Sequence, residues 1–181
     1  MITICSQLVK QLDPNPEREG LRETPKRMCK ALRFWTEGYQ KEVAEVLKAF
    51  EDGAERYDQM VYERGIPVNS LCEHHLAPFF GTAVIAYIPD NRIVGLSKLS
   101  RLVDIFARRL QVQERLTQQI ADAMMEHLQP KGVGVHLVCR HTCMESRGIC
   151  RHGIETGTTA LRGCIYDEAQ ARAEFLQLID K

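Results

Sequence analysis

Two short stretches of this sequence carry side chains able to bind a metal: Cys72-Glu73-His74-His75 and His141-Thr142-Cys143. Cys72 and His75 stand three apart, so a single turn of chain can aim both at one ion. His141 and Cys143 stand two apart and share a face if that segment is extended. Thiolate combined with imidazole favours zinc among the available metals. Spacing leaves two arrangements open: a closed structural site of two cysteines and two histidines, or an open site with a position for water and hence for catalysis. An isolated cysteine is commonly a small buried apolar residue, and Cys5, Cys29, Cys139, Cys150 and Cys164 are read that way. His127 and His136, each without a neighbouring ligand, are read as surface or core residues.

The two stretches are far apart in the chain, so a fold must join them. Ile2 to Leu12 is mildly amphipathic and breaks at Asp13-Pro14-Asn15-Pro16. Thr24-Pro25 starts a helix, because threonine can cap an orphan amide and proline at the first position gives up a donor that had no partner. That helix is expected to end near Gly38, as a glycine just past a helix end, with another helix over Glu42 to Phe50. Gln59 to Tyr62, Ile66 to Val68 and Thr82 to Ile88 read as strands. Leu99, Leu102, Val103, Phe106 and Leu110 recur at helical spacing, as do Leu116, Ile120, Ala123, Met124 and Leu128. Val133, Val135, Leu137, Cys139 and His141 alternate along a strand over Gly132 to His141. A strand over Thr158 to Tyr166 and a helix over Glu168 to Ile179 complete the pattern. The fold class is α+β with an antiparallel sheet, an N-terminal helical segment over 1–55 preceding one compact unit over 56–181.

Composition narrows the partners. The 181 residues hold 24 Lys plus Arg against 24 Asp plus Glu, so no net field draws the protein to nucleic acid or membrane. A polyanionic ligand would need a local cluster of cations. Neither a secretory signal nor an apolar run long enough to span a bilayer is visible. Seven cysteines without such a signal point to reduced thiols and a cytoplasmic setting.

The residues quoted so far, with their neighbours, resemble the GTP cyclohydrolase I family. Cys72-Glu73-His74-His75-Leu76-Ala77-Pro78-Phe79 is similar to its metal-binding signature. Gly95-Leu96-Ser97-Lys98-Leu99-Ser100-Arg101, Gln111-Val112-Gln113-Glu114-Arg115-Leu116-Thr117, Thr24-Pro25-Lys26-Arg27, Ala86-Tyr87-Ile88-Pro89 and His141-Thr142-Cys143-Met144 with Arg147-Gly148 follow the family's order. The similarity runs from about Asn15 to Leu178.

The resemblance implies the tunnelling fold: an antiparallel sheet with two helices on one face, whose sheets join between subunits into a barrel, assembled as a decamer of two pentamers. It implies zinc on Cys72, His75 and Cys143, with water in the fourth position, and GTP as the substrate. The implied reaction adds water to C8 of the base, releases formate and ends in 7,8-dihydroneopterin triphosphate, the first step of tetrahydrofolate and pterin biosynthesis. Zinc brings the pKa of water to about 7, and a histidine suits protonation of N7. His74 is expected in that role, with His141 and Ser97 in the later ribose rearrangement. Glu114, with Gln113 beside it, is expected to read guanine, because one carboxylate can accept both N1–H and the exocyclic amine. Lys98, Arg101 and Arg147 match the family's phosphate-binding positions, and Lys30 a residue donated by a neighbouring subunit; Arg27 is a weaker candidate. Arg108, Arg109 and Arg115 are expected on a solvated face or in subunit packing.

After Gly148 the likeness loosens through Ile149 to Gly157, where Cys150 and His152 stand outside the matching motif. Two rivals stay in view: a related cyclohydrolase feeding a deazaguanine pathway or stopping at a ring-opened intermediate, and a zinc-stabilised interaction protein without catalysis. The joint presence of His74, His141, Glu114, Ser97, Lys98, Arg101 and Arg147 disfavours the second.

Overall fold

The structure is a computed structural model that describes residues 1–51 and 57–179. The chain forms α1 (Ile2–Leu12), α2 (Thr24–Trp35), α3 (Val43–Val46), β1 (Ala49–Phe50), β2 (Val61–Cys72), β3 (Pro78–Ile88), β4 (Ile93–Val94) and α4 (Ser97–Ala107). Then follow β5 (Leu110–Gln111), α5 (Gln113–His127), β6 (Gly132–His141), α6 (Thr142–Glu145), β7 (Glu155–Gly163), α7 (Cys164–Asp167) and α8 (Ala169–Ile179). The main sheet has the order β5-β2-β3-β6-β7. Its four long strands run antiparallel, and only the two-residue β5 lies parallel to β2. This is the expected α+β class. The boundary expected at 55/56 lies outside the described residues.

Alternation along the strands sorts the core into two. Ile66 and Val68 of β2, Phe79, Ala83, Ile85 and Tyr87 of β3, and Val133, Val135, Leu137 and Cys139 of β6 point to one face. There they meet Leu99, Leu102, Val103 and Phe106 of α4 and Leu116, Ile120 and Met124 of α5. The expected pair of helices on one face is therefore observed. On the opposite face Phe175 and Ala171 of α8 pack with Ile165 and Ala86, and Leu178 and Ile179 carry the helix on toward Val84.

Four expectations need correction. α2 stops at Trp35 and is followed by a 3-10 turn over Glu37–Gln40. Gly38 is not a helix-ending residue: a Cβ there would lie 2.1 Å from the Ile105 carbonyl oxygen, and the Gly38 N–H donates to the Arg108 carbonyl at 3.0 Å. Glycine lets this turn dock directly on the end of α4. The helix expected over Glu42 to Phe50 shrinks to one turn, because Leu47 is drawn into the core and Ala49–Phe50 pair with Ile93–Val94. The two strands expected between Gln59 and Val68 are one, β2, with a register irregularity between Glu63 and Ile66. The last strand starts and ends earlier than expected, at Glu155 and Gly163. Gly163 closes it at φ 57°, with its would-be Cβ 2.2 Å from the Lys131 carbonyl, and Cys164 to Asp167 become a helical turn.

Candidate metal centre and active site

The strand order builds the site. β3 lies between β2 and β6, and its first residues pair with the last of both: Leu71 with Pro78, Ser70 with Phe79, and Phe79 with His141. Cys72 at the end of β2 and Cys143, just past the end of β6, thus flank the start of β3 at one end of the sheet. β5 pairs Gln111 with Cys72, which delivers the first residues of α5, Gln113 and Glu114, to the same end. A short turn returns β2 to β3, with Leu76 at φ 52°.

Cys72, His75 and Cys143 converge there, each offering a ligand atom within 4.8 Å of the others. Cys72 Sγ and His75 Nδ1 are 3.7 Å apart. Two ligands of a tetrahedral ion, with metal bonds of about 2.3 Å to sulfur and about 2.1 Å to nitrogen, would stand about 3.6 Å apart. The residues therefore fit a metal. Among the described residues the cluster comprises these three side chains, and no fourth candidate ligand joins it. Burial, and then the neighbouring Cys72 thiol, push the Cys143 thiol above its ordinary pKa. Two facing thiols resist ionising together, and a divalent cation removes that obstacle.

His74 is exposed beside the cluster, its Nδ1 3.9 Å from Cys72 Sγ. His141 is half-buried and stacks on Phe79, ring centroids 4.7 Å apart and planes 13° from parallel. Its Nε2 bonds Gln113 Oε1 at 2.8 Å. Burial holds its pKa below the usual histidine value, and nearby Glu114 partly opposes that shift. Arg147 donates to His75 Nε2 at 3.0 Å. A metal on Nδ1 would leave a hydrogen on Nε2, which can no longer accept from Arg147, and that guanidinium would be free to turn to an anion.

A family model described as GTP cyclohydrolase I matches residues 2–180. The chain belongs to the GTP cyclohydrolase I family. The "GTP cyclohydrolase 1" of Janthinobacterium sp. (strain Marseille) is 61% identical over 172 residues, 95% of this chain and 87% of that protein. The protein of the same name in Nitrosospira multiformis is 58% identical over 174 residues, 96% of this chain and 91% of its own. A solved structure of the archaeosine synthase QueF-Like in the apo form overlaps 57% of this chain and 93% of its own at TM-score 0.48 and 17% identity.

Not every candidate from the GTP cyclohydrolase I signature gathers at the Cys72–His75–Cys143 cluster within one chain. Gly95 and Leu96 lie against Val61 and Tyr87, at the far end of the sheet from Cys72. α4 starts there, so Ser97 and Lys98 are separated from the cluster by most of the length of β3, roughly 25–30 Å for eight or nine strand residues. Arg101 stands one helical turn nearer, because α4 runs back toward the Cys72 end, where Ser70 Oγ donates to the Arg109 carbonyl. Lys30 is exposed on α2, which packs on α1, beside Ile2 and Cys29. Cys150 and His152 stay out of the cluster among the described residues. Cys150 is exposed, not the buried small apolar residue expected of it, while Cys5, Cys29 and Cys139 are buried and Cys164 half-buried.

The three arginines set aside as solvated or inter-subunit are occupied within the chain. Arg108 pairs with Glu37 and Asp104; Arg109 donates to the Gly38 and Ile105 carbonyls at 3.2 and 3.0 Å. Arg115 bonds Glu73, the Leu110 carbonyl at 3.1 Å and Gln111 Oε1 at 3.0 Å. The Arg115 hydrogen bond holds the Glu73 carboxyl below its ordinary pKa, and the pair ties the metal-binding turn to α5. Sequence reasoning gave Glu73, Arg115 and Phe79 no part in the site. The available signal was their place inside two matched segments, which composition alone cannot interpret.

Proposed function

We propose that this protein converts GTP and water to formate and 7,8-dihydroneopterin triphosphate at a zinc ion held by Cys72, His75 and Cys143. The observation that carries the reading is the convergence of those three ligand atoms within 4.8 Å, with His74 beside Cys72 and His141 stacked on Phe79 at the same end of the sheet. Bound zinc supplies a Lewis acid that makes water a nucleophile near neutral pH.

The chain's own residues do the rest. His74, exposed next to the cluster, delivers a proton to N7 of the base as C8 is attacked, and His141 moves protons in the later ribose steps. Glu114, exposed at the start of α5, accepts from N1–H and the exocyclic amine of guanine. A base lacking those donors leaves the carboxylate unpaired and is rejected. Gln113 belongs to the same end of the helix. Arg147 takes the triphosphate once it leaves His75, because a guanidinium grips phosphate with paired hydrogen bonds.

Lys98, Arg101 and Ser97 lie too far along the sheet to serve the same metal. The distance supports a site completed by a neighbouring subunit, which also contributes Lys30, in a homodecamer of two pentamers working in the cytoplasm. GTP incubated with the zinc-loaded protein should yield stoichiometric formate and, after oxidation, a fluorescent pterin. Formate without pterin would favour an enzyme that stops at a ring-opened product, and absence of both would overturn the reading.

A further inference from the structure

Gln113 begins α5, yet its side chain is turned into the core and is only 1% exposed. Its Nε2 donates to the Leu137 carbonyl at 3.2 Å, the Thr156 carbonyl at 2.7 Å and Thr158 Oγ1 at 3.1 Å. Two of these partners are backbone carbonyls, which only accept. The amide can therefore sit one way round, since exchanging its ends would press Oε1 against two carbonyl oxygens. Thr117 closes the network: its hydroxyl donates to the Gln113 carbonyl at 2.8 Å and lies 2.6 Å from Thr158 Oγ1.

With the amide fixed, Oε1 is an acceptor, and its partner 2.8 Å away, His141 Nε2, must carry the hydrogen. In a neutral imidazole that places the lone pair on Nδ1. Among the described residues Nδ1 makes no hydrogen bond, while Phe79 stacked on the ring fixes its plane. Two constraints on one ring, an in-plane hydrogen bond and a face-on stack, leave it little rotational freedom.

We propose that Gln113 is a positioning residue that locks His141 as the Nε2–H tautomer, leaving Nδ1 as the ring nitrogen that exchanges a proton with substrate. This rests on the reading that His141 moves protons in the reaction. It assigns the buried amide to the histidine rather than to the base, since both its hydrogens are committed inside the core. The logic is that of any catalytic base oriented by a third group.

The test uses the zinc-loaded full-length protein. Magic-angle-spinning ¹⁵N NMR of histidine-labelled protein, with His141 assigned by its loss in His141→Ala, should show a protonated Nε2 and an unprotonated Nδ1. Gln113→Met, which keeps length and removes the hydrogen bonds, should give a mixture of tautomers. Its kcat should fall on the order of 100-fold from lost alignment, with zinc content unchanged and KM for GTP within about threefold of the parent. A protonated Nδ1 in the parent would overturn the proposal and needs no variant to fold. So would a Gln113→Met enzyme with raised KM and intact kcat, which would put the side chain on the base. Should His141→Ala turn over GTP normally, the role given to His141 falls, while the tautomer is still decided by the spectrum.

Discussion

Phe79→Leu separates the positioning of His141 from general stability. Phe79 is fully buried, 0% exposed, and its ring lies 4.7 Å from that of His141, nearly parallel. Leucine keeps the site apolar but removes the platform. An aromatic pair of this geometry contributes about 0.5–1.5 kcal/mol, and the small cavity left behind costs about 1 kcal/mol more. A loss of about 2 kcal/mol should lower Tm by roughly 4–8 °C for a chain of this length. The informative quantity is kcat: each 1.4 kcal/mol of alignment lost from the transition state is about tenfold, so kcat should drop about tenfold at 25 °C with zinc content and KM unchanged. Phe175→Leu is the control. Phe175 is equally buried but belongs to the separate cluster on the opposite face of the sheet, so it should show a comparable Tm loss and unaltered kcat. Two variants with the same Tm loss and the same kcat would refute the assignment of Phe79 to the site.

Other outcomes follow from the same geometry. Cys143→Ala should lose bound zinc, measured by elemental analysis after gel filtration, while keeping its circular dichroism; stoichiometric zinc in that variant would remove Cys143 from the ligand set. Glu114→Ala should retain zinc yet lose most GTP turnover, and near-normal turnover would take the carboxylate off the base. Brief iodoacetamide treatment followed by peptide mapping should label exposed Cys150 and spare Cys139. Burial pushes the Cys139 thiol up to about 12, so it stays protonated and unreactive through neutral and mildly alkaline pH; labelling there before Cys150 would contradict its placement.

Several features were legible in the residues themselves. Period-two alternation from Val133 to His141 put His141 on the core face, and helical spacing marked α4 and α5, because burial of one face imposes those repeats. The Cys-x-x-His pair and the later cysteine announced a metal by donor type. Helix 42–50 failed because a short run carries too little local preference to resist a buried Leu47 and a strand partner at Ile93–Val94. Gly38 was misread because the reason for a glycine there is the carbonyl of a residue 67 positions away, Ile105.

The sequence by itself determined which donors exist, which face of each element is apolar, and the family to which the chain belongs. Only the tertiary structure decided that Cys72 and Cys143 meet, since that depends on β3 inserting between β2 and β6, a pairing that no local pattern encodes. It also decided that Gln113 faces inward to His141 while Glu114 stays exposed, and that Arg108, Arg109 and Arg115 are already engaged. These are contacts between residues distant in the chain. Their energies arise only when the sheet closes, so the types of the residues could suggest chemistry while their partners remained unwritten.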